Sequence, residues 1–360
     1  MDKIRRKNAQ KVIVAMSGGV DSSVAAALLK RAGFEPTGVF MKFWKESGHG
    51  ENRCCSSESE IRARKVAKIL KIPFYVFNFE KEFKKRIVDY FLKENKKGLT
   101  PNPCVICNKE IKFGLLLEKA LKLDADFIAT GHYARLVKDN LRHIKLMEAK
   151  DKNKDQSYFL WMLNRGQLER ILFPIGDYTR AEVEKLAKKF KLPFGGVKKS
   201  QEICFVVKTV EDFLKRHLKS KPGPICLKWN IKQIIGRHQG LWFYTIGQRK
   251  GIRLPQGPYY VLSKDLKKNI LIVTKNEKDL FKKELIAKNV SWISGKEPEL
   301  PLKIQARIRY RHKATPVVIT KILNSTFYIL KFARPQRAIT PGQSVVFYRG
   351  QEVVGGGIIC

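Results

Sequence analysis

Residues 12–23 read VIVAMSGGVDSS, and this stretch decides the predicted fold of the first half of the chain. An apolar, β-compatible run is followed by two glycines and then, from Val24, by residues typical of a helix. The glycines let backbone N–H groups close around an anion, and the first turn of a helix carries unpaired donors. We also expect Ser22 or Ser23 to cap this helix and face the ligand. The segment predicts a strand, a phosphate-binding loop and a helix.

The loop does not have the Gly-x-x-x-x-Gly-Lys-Ser/Thr spacing, so the ordinary phosphate loop of kinases and motor proteins is a poor fit. SGGVDSS instead resembles the loop of the ATP-pyrophosphatase superfamily. That resemblance implies cleavage of ATP between its α- and β-phosphates to adenylate a carbonyl oxygen. The alternative is a generic glycine turn in an α/β protein.

Short apolar runs alternate with amphipathic segments from residue 11 to about residue 205. The predicted strands are 12–16, 37–41, 73–79 and 126–130, and the predicted helices run to Lys30 and over 58–70, 83–92 and 109–121. This alternation is typical of a parallel sheet with crossover helices. Ligands of such sheets bind at the carboxyl ends of the strands, where the glycine loop, Met41 and Gly131 fall.

The pattern changes after residue 205. A helix at about 211–218 is followed by short segments separated by glycines, and from about residue 286 apolar and polar residues alternate. These patterns predict a small β-rich domain and a compact β-barrel. The fold class is therefore α/β: an N-terminal parallel-sheet domain over 1–208, a central β-rich domain over 209–280 and a C-terminal β-barrel over 281–360.

The chain carries a large positive charge: 360 residues include 72 Lys and Arg against 33 Asp and Glu, a formal net charge of +39. A polyanionic partner explains this excess, and a general lysine bias on solvated helices is the alternative. The basic first ten residues precede no apolar secretory stretch, and no segment has the roughly 18 apolar residues of a membrane span. We expect a cytoplasmic protein without a membrane partner.

Seven cysteines, an odd number, argue against a disulfide framework. Cys104 and Cys107 form a Cys-x-x-Cys pair, which suits a zinc half-site, a redox pair or an activated nucleophile. Zinc needs two further ligands, and the adjacent Cys54-Cys55 are poorly spaced, so we predict no metal site. Cys107 precedes Asn108-Lys109 at a predicted helix start. The helix end and the ammonium would lower the thiol pKa, which predicts a thiolate at neutral pH.

Cys204 lies in KKSQEICFV, with Lys198 and Lys199 upstream and Glu202 two residues before it. A lone cysteine at the start of an apolar strand is usually a small core residue. Beside an adenylating loop and a second thiol it fits another chemistry, the replacement of a carbonyl oxygen by sulfur. ATP makes the oxygen a leaving group, one cysteine carries sulfur as a persulfide, and a second thiol attacks the persulfide or the activated carbon.

Motifs that occur in a fixed order along nearly the whole chain identify a family resemblance. They are SGGVDSS, PNPCVICNKEIKF, ATGHYAR, KDQSYFLW, SQEICF, YTIGQRKG, RIRYRH and PGQSVVFY. Together they resemble the bacterial tRNA-specific 2-thiouridylases. The resemblance implies adenylation of the C2 oxygen of the wobble uridine in tRNA and its replacement by sulfur. It also implies that Cys107 is the nucleophile, that Cys204 carries the persulfide, and that a disulfide between them is a resting product.

The resemblance implies further site residues. Those expected to bind ATP are Ala15, Met16, Ser17, Gly18, Gly19, Val20, Asp21, Ser22, Met41 and Gly131. Those expected near the target base are Asn102, Pro103, Cys104 and His132. Those expected to touch tRNA are Lys154, Asp155, Gln156, Arg309, Tyr310 and Gln343.

Some of these assignments have alternatives in the residues themselves. Residues 303–313 contain five Lys or Arg together with Tyr310 and His312, which offers phosphate contacts and stacking surfaces for RNA. The alternative is a charged, solvated strand face. Residues 154–156 also suit an ordinary capped loop, and His132 also suits a buried, hydrogen-bonded imidazole.

Cys104 departs from the family, which commonly has Asp at this position. A carboxylate there would accept a hydrogen bond from a base edge, which a thiol does poorly. Either the backbone or Asn102 makes that contact, or Cys104 is a redox partner of Cys107 and protects it as a local disulfide. We expect Cys107 to be the nucleophile, because its Asn-Lys-Glu context matches the family.

The predicted reaction implies cofactors and partners beyond this chain. Mg²⁺ is expected with ATP, because the phosphates and the pyrophosphate leaving group need charge neutralisation. A sulfur-carrier protein or a cysteine desulfurase must supply sulfur to Cys204. Two other functions remain open: an amide-forming or argininosuccinate-type synthetase, which needs neither thiol, and a non-catalytic RNA-binding protein, which releases no pyrophosphate.

Overall fold

A computed structural model describes residues 9–49, 55–193 and 203–360. The N-terminal part contains strands β1 Lys11–Ala15, β2 Glu35–Lys42, β3 Phe74–Asn78, β4 Phe127–Thr130, β5 Ala134–Lys138, β6 Ile144–Glu148 and β7 Ile171–Leu172. Five of them form a parallel sheet in the order β3-β2-β1-β4-β7. The predicted parallel sheet is thus confirmed, with β1 at its centre.

Helices cover this sheet. They are α1 Val20–Arg31, α2 Ser57–Leu70, α3 Glu80–Phe83, α4 Asp89–Lys96, α5 Pro103–Cys107, α6 Leu116–Lys122, α7 Arg165–Leu168, α8 Arg180–Lys189 and α9 Val210–His217. The π-helical segments Lys84–Val88 and Asn108–Leu115 join α3 to α4 and α5 to α6. The fully buried Ala25 and Ala26 of α1 pack in one core with Val14 of β1. Burial on both faces explains the continuous apolar runs.

One helix begins earlier than expected. The sequence predicts a start near residue 109, whereas the helical segment begins at Pro103. The Asn102 side chain accepts a hydrogen bond from the Cys104 N–H at 3.2 Å, and Pro103 occupies the first helical position. Both features favour a helix start, because an Asn cap satisfies a free donor and Pro needs none there. Cys104 and Cys107 therefore lie on the first turns of a helix and not in a preceding loop.

Two β structures follow. The central sheet has the order β10-β11-β8-β9 and the C-terminal sheet closes as β12-β15-β14-β13-β16-β17, with β12 also paired to β17. The strands are β8 Gly223–Leu227, β9 Asn230–His238, β10 Tyr260–Asp265, β11 Ile270–Thr274, β12 Phe281–Trp292, β13 Leu302–Arg307, β14 Thr315–Lys321, β15 Tyr328–Arg337, β16 Ser344–Arg349 and β17 Glu352–Ile359. The predicted β-rich domain and barrel are confirmed.

The hairpin β5–β6 was not predicted. It leaves the N-terminal domain and extends the barrel sheet, because β6 pairs with β17. Beside this junction Trp161 Nε1 donates to Ser344 Oγ at 3.0 Å, and the Tyr158 hydroxyl donates to the Ser344 carbonyl at 2.8 Å. The N-terminal domain and the barrel consequently share one buried core. Within the described ranges, none of the helices is long and apolar enough to cross a membrane.

Candidate active site

The phosphate-binding loop connects β1 to α1. Gly19 is the N-cap residue of α1, and no side chain accepts a hydrogen bond from the first turn. The expected capping role of Ser22 or Ser23 is wrong, because both hydroxyls instead donate to the Gly19 carbonyl, at 3.2 and 2.8 Å. Gly18 has φ of +70°, a left-handed conformation that favours glycine. The amide donors of this helix end are thus available to an anion.

Close packing around the loop requires glycine at two positions. A Cβ on Gly131 would lie 2.6 Å from the Ser22 nitrogen, and a Cβ on Gly18 would lie 2.2 Å from the Ser59 carbonyl oxygen. The end of β4 therefore presses against the start of α1. The structure brings the residues expected to bind ATP, 15–22 and Gly131, to the carboxyl edge of the sheet, with Met41 near the end of the neighbouring strand β2.

Asp21 has two partners that sequence reasoning missed. Its Oδ1 accepts hydrogen bonds from the Tyr133 hydroxyl at 2.9 Å and from Arg180 Nη1 at 2.7 Å. Burial raises the pKa of Asp21, while the positive charges of Arg180 and Lys154 act in the opposite direction. Arg180 is 159 positions from Asp21, and nothing in the local pattern of either residue signals the contact. Lys154, expected to touch tRNA, acts here on the phosphate-binding loop.

His132 lies directly after β4 and is buried. Its Nδ1 is 2.7 Å from the Thr130 hydroxyl, and its ring lies 5.6 Å from that of Phe113 and 6.1 Å from that of Phe173. Burial holds the pKa of His132 well below its ordinary value, and the Lys112 ammonium lowers it further. The imidazole is therefore neutral at physiological pH.

The Cys-x-x-Cys thiols lie close to Lys112. Burial raises the pKa of Cys104 to about 11 and raises that of Cys107 well above its ordinary value, while Lys112 lowers both. The expectation of a thiolate at neutral pH is wrong for this state of the protein. The expected cation is also wrong, because the Lys109 ammonium lies 3.8 Å from a carboxylate oxygen of Glu110 on the exposed side of the helix.

Cys204 lies in a turn and not at the start of a strand, which corrects the expectation. It packs against the apolar cluster that contains Cys107 and Phe205. Its negative charge, when ionised, would raise the pKa of both Cys104 and Cys107, so the three thiols lie near one another. Residues 198, 199 and 202, also considered at this motif, lie outside the described residues.

Within the described ranges, Cys104, Cys107, Cys226 and Cys360 carry free thiols. In the same ranges no group of three or more His, Cys, Asp or Glu side chains is arranged to hold a metal ion.

The segment after Cys204 is attached to the loop after β2 by a partly buried ion pair. Glu46 accepts hydrogen bonds from Arg216 at 2.8 and 2.6 Å, and His217 Nε2 lies 3.1 Å from the same carboxylate. The hydrogen bond from Arg216 lowers the pKa of Glu46. Sequence reasoning missed this pair, which fixes α9 next to the site.

Gln343 lies at the loop before Cys104. Its Nε2 donates to the Thr100 carbonyl at 2.8 Å, and the Thr100 N–H donates to the Pro341 carbonyl at 2.9 Å. Nearby, Lys264 Nζ donates to the Gly98 carbonyl at 2.9 Å. The barrel and the central domain thus hold the segment that precedes the Cys-x-x-Cys helix.

Asp155 and Gln156 make internal contacts. Asp155 is buried, and its carboxylate accepts hydrogen bonds from the Ala149 N–H at 2.9 Å and from the Ser157 hydroxyl at 2.8 Å. Gln156 exchanges hydrogen bonds with the backbone of Tyr133, at 3.0 and 2.7 Å. In this structure both residues brace the loop that carries Tyr133 to Asp21, which is an internal role that sequence reasoning did not assign.

Arg309 and Tyr310 follow β13 in a turn, so they do not lie on a solvated strand face. Arg309 Nη2 donates to the Ala338 carbonyl and the Thr340 hydroxyl, both at 2.9 Å. The Tyr310 ring lies 4.6 Å from the ring of Phe159, which belongs to the N-terminal domain. This pair therefore joins the barrel to that domain.

Comparison with known proteins gives matches over almost all of the chain. The description "tRNA methyl transferase HUP domain" matches residues 10–208, "tRNA methyl transferase PRC-barrel domain" matches 211–275 and "Aminomethyltransferase beta-barrel domain" matches 282–359. Proteins named tRNA-specific 2-thiouridylase MnmA from Clostridioides difficile, Levilactobacillus brevis and Nitrosomonas europaea are each 45% identical to it. The alignments cover 97%, 97% and 98% of this chain and 98%, 95% and 98% of those proteins.

Proposed function

The chain belongs to the tRNA-specific 2-thiouridylase family, and we propose that it replaces the C2 oxygen of the wobble uridine of tRNA with sulfur. The single observation that carries the proposal is that the phosphate-binding loop lies close to the cluster of Cys104, Cys107 and Cys204. Gly131 packs against the start of α1, and His132 is the next residue in the chain. The Lys112 ammonium lowers the pKa of His132 and of both thiols of the Cys-x-x-Cys pair, so it lies near all three. An activating site and a sulfur site are therefore adjacent.

ATP is the proposed activating substrate. The helix end at Gly19 offers amide donors to the phosphates, and the C2 oxygen would attack the α-phosphorus while pyrophosphate leaves. Mg²⁺ would be held by Asp21 and would neutralise phosphate charge. Asp21 Oδ1 already accepts hydrogen bonds from Tyr133 and Arg180, so the second carboxylate oxygen would be the one to face the cation.

Sulfur would arrive on Cys204 as a persulfide from a sulfur-carrier protein or a cysteine desulfurase. The terminal sulfur is transferred to C2, AMP leaves, and Cys107 forms a bond to the sulfur of Cys204. The persulfide S–S bond breaks in the same sequence, so the products are thiouridine, AMP and a Cys107–Cys204 disulfide. Neutral His132 would lie near the base, as would Asn102 and Pro103 at the start of α5.

The charge distribution supports tRNA as the carrier of the oxygen. The net charge of +39 suits an RNA backbone, and the basic segment at Arg309 and Tyr310 lies at the junction of the barrel with the N-terminal domain. Lys154 lies near the phosphate-binding loop, where tRNA and nucleotide would meet. Gln343, Gln156 and Asp155 would act mainly by holding the loops that face the tRNA.

Mass spectrometry of unmodified tRNA after incubation with ATP, Mg²⁺ and a polysulfide sulfur source tests the proposal. The wild-type protein should give the oxygen-to-sulfur mass increase, and Cys107→Ser and Cys204→Ser should lose it. Cys360→Ser, which changes an exposed cysteine at the end of β17, is the matched control and should keep it.

Measurement of pyrophosphate release distinguishes the proposed thiolation from the two alternative functions, a synthetase and a non-catalytic RNA-binding protein. Cys204→Ser should still release pyrophosphate in the presence of tRNA, because activation precedes sulfur transfer. Repeated ATP turnover by Cys204→Ser at the full wild-type rate would favour a synthetase, and the absence of pyrophosphate release by the wild type would favour a non-catalytic RNA-binding protein. Either result contradicts the proposal.

A further inference from the structure

We propose that Cys104 is a resolving thiol that takes over the disulfide left by sulfur transfer and returns Cys204 to its free form. This inference rests on the proposed function, since that reaction produces the Cys107–Cys204 disulfide. In this proposal Cys104 carries out a thiol–disulfide exchange, and Cys104 and Cys107 together hold the resulting disulfide.

Helix geometry makes the Cys104–Cys107 bond feasible. The two residues are three positions apart in α5, so their Cα atoms lie about 5 Å apart on one side of the helix. Disulfides require Cα separations of roughly 4.4–6.8 Å. The hydrogen bond from the Cys104 N–H to Asn102 fixes this first turn. The Cα separation of the pair therefore meets the requirement for a disulfide.

The three thiols differ in their exposure to solvent. Cys107 is only 6% exposed, whereas Cys104 and Cys204 are partly exposed. Cys204 packs against the same apolar cluster as Cys107, and its charge acts on both other thiols. Each of the two disulfides therefore joins buried Cys107 to a partly exposed cysteine, so a reductant can reach the Cys104 end of a Cys104–Cys107 bond.

The proposed exchange balances in atoms and electrons. The Cys104 thiolate attacks the Cys107 sulfur of the Cys107–Cys204 disulfide, a Cys104–Cys107 bond forms, and Cys204 leaves as a thiolate. The proton lost from Cys104 is returned to Cys204, so the step involves no net oxidation. A dithiol reductant then reduces the Cys104–Cys107 disulfide and is itself oxidised to a disulfide. Cys204 is free to accept new sulfur before that reduction occurs.

One turnover without reductant reveals the disulfide that remains. The full-length protein is treated with polysulfide, desalted, and mixed with tRNA, ATP and Mg²⁺. Free thiols are then blocked with N-ethylmaleimide, and disulfides are mapped by mass spectrometry under non-reducing conditions. We expect mainly a Cys104–Cys107 disulfide and an alkylated Cys204 in the wild type and in the control Cys360→Ser. In Cys104→Ser, each thiouridine formed should leave a Cys107–Cys204 disulfide.

The readouts distinguish failure of the inference from failure of the proposed function. If wild-type protein forms thiouridine and keeps the Cys107–Cys204 disulfide with Cys104 alkylated, Cys104 is not a resolving thiol. If wild-type protein forms no thiouridine, the proposed function itself fails.

A second measurement does not depend on activity. Cys204→Ser, oxidised with diamide in the absence of tRNA and ATP, should form the Cys104–Cys107 disulfide and lose two alkylatable thiols. Retention of both thiols under conditions that oxidise a dithiol peptide would overturn the inference.

Discussion

At Cys107, burial and the Lys112 ammonium act on the thiol in opposite directions, and burial has the larger effect. A thiol reacts as its thiolate, so burial disfavours the reactive form of the proposed nucleophile. Binding of tRNA and ATP would therefore have to lower the pKa of Cys107. A protonated Cys107 would not attack a persulfide on Cys204 before substrates bind, which would limit premature release of the sulfur as sulfide.

Alkylation kinetics test this balance. The rate of Cys107 alkylation by iodoacetamide in ligand-free protein should rise about tenfold per unit between about pH 7 and pH 9, because the pKa lies above this range and the thiolate fraction grows with pH. Lys112→Met should lower the rate at each pH, since the ammonium lowers the pKa. Lys109→Met, which changes a cation on the exposed side of the same helix, should leave the rate unchanged. A plateau below pH 9 would contradict the raised pKa.

The residue scale also shows where sequence reasoning reaches its limit. The Cys-Val-Ile-Cys spacing predicts a pair of neighbouring thiols, because spacing along a helix fixes their separation. It does not predict their pKa values, which depend on burial by residues as distant as Phe205. Asp21 illustrates the same limit, because its partner Arg180 comes from a helix far along the chain.

At the scale of single elements, the segment between α4 and α5 is held from outside its own domain. The Thr100 N–H donates a hydrogen bond to the Pro341 carbonyl, and the Thr100 carbonyl accepts one from Gln343. The Lys264 ammonium donates to the Gly98 carbonyl. Burial lowers the pKa of Lys264 to about 8, so part of this contact is made by a neutral amine under mildly alkaline conditions. The element that carries the proposed nucleophile is therefore positioned by the barrel and the central domain.

Hydrogen exchange tests the role of Gln343. Gln343→Met keeps the length of the side chain and removes the donor to Thr100, which should lower the free energy of local opening by about 1 kcal/mol. Backbone amides of residues 98–102 should then exchange about five times faster in the tRNA-free protein. Gln351→Met, which removes an acceptor of Arg135 at another site, is the control. Unchanged exchange at 98–102 in Gln343→Met would show that Gln343 does not hold this segment.

At the scale of the whole molecule, the N-terminal domain and the barrel are joined through a common core. Trp161 is fully buried between them, and a Cβ on Gly356 of β17 would lie 2.7 Å from its indole. The hairpin β5–β6 adds backbone pairing to the same junction. The two units should therefore unfold together.

Substitution of Trp161 tests this coupling. Trp161→Ala should reduce the free energy of unfolding by about 3–5 kcal/mol, because it removes a large buried side chain and leaves a cavity. The unfolding signals of the N-terminal domain and the barrel should shift together in urea. Trp229→Ala, at a side chain that is 61% exposed, should change stability by less than about 0.5 kcal/mol. Separate transitions for the two units would contradict a shared core.

The net charge of the whole molecule predicts a strong dependence of tRNA affinity on salt concentration. If about five phosphates of tRNA are contacted, affinity should fall at least about a hundredfold between about 50 and 200 mM salt, because bound counterions are released. Filter binding or fluorescence anisotropy over this range measures the slope. A nearly flat dependence would assign the charge of +39 to general lysine bias and not to a polyanionic partner.

The sequence by itself determined the parallel sheet, the glycine loop, the β-rich domains and the family, because hydrophobic periodicity and ordered motifs are local properties. Other features are visible only in the tertiary structure. The barrel sheet includes a hairpin from the N-terminal domain, and Gln343 forms a hydrogen bond with Thr100. Asp155 is internal, and burial raises the pKa of Cys107. These features depend on contacts between residues far apart in the chain, and on desolvation by the surrounding core, neither of which is encoded in a short segment.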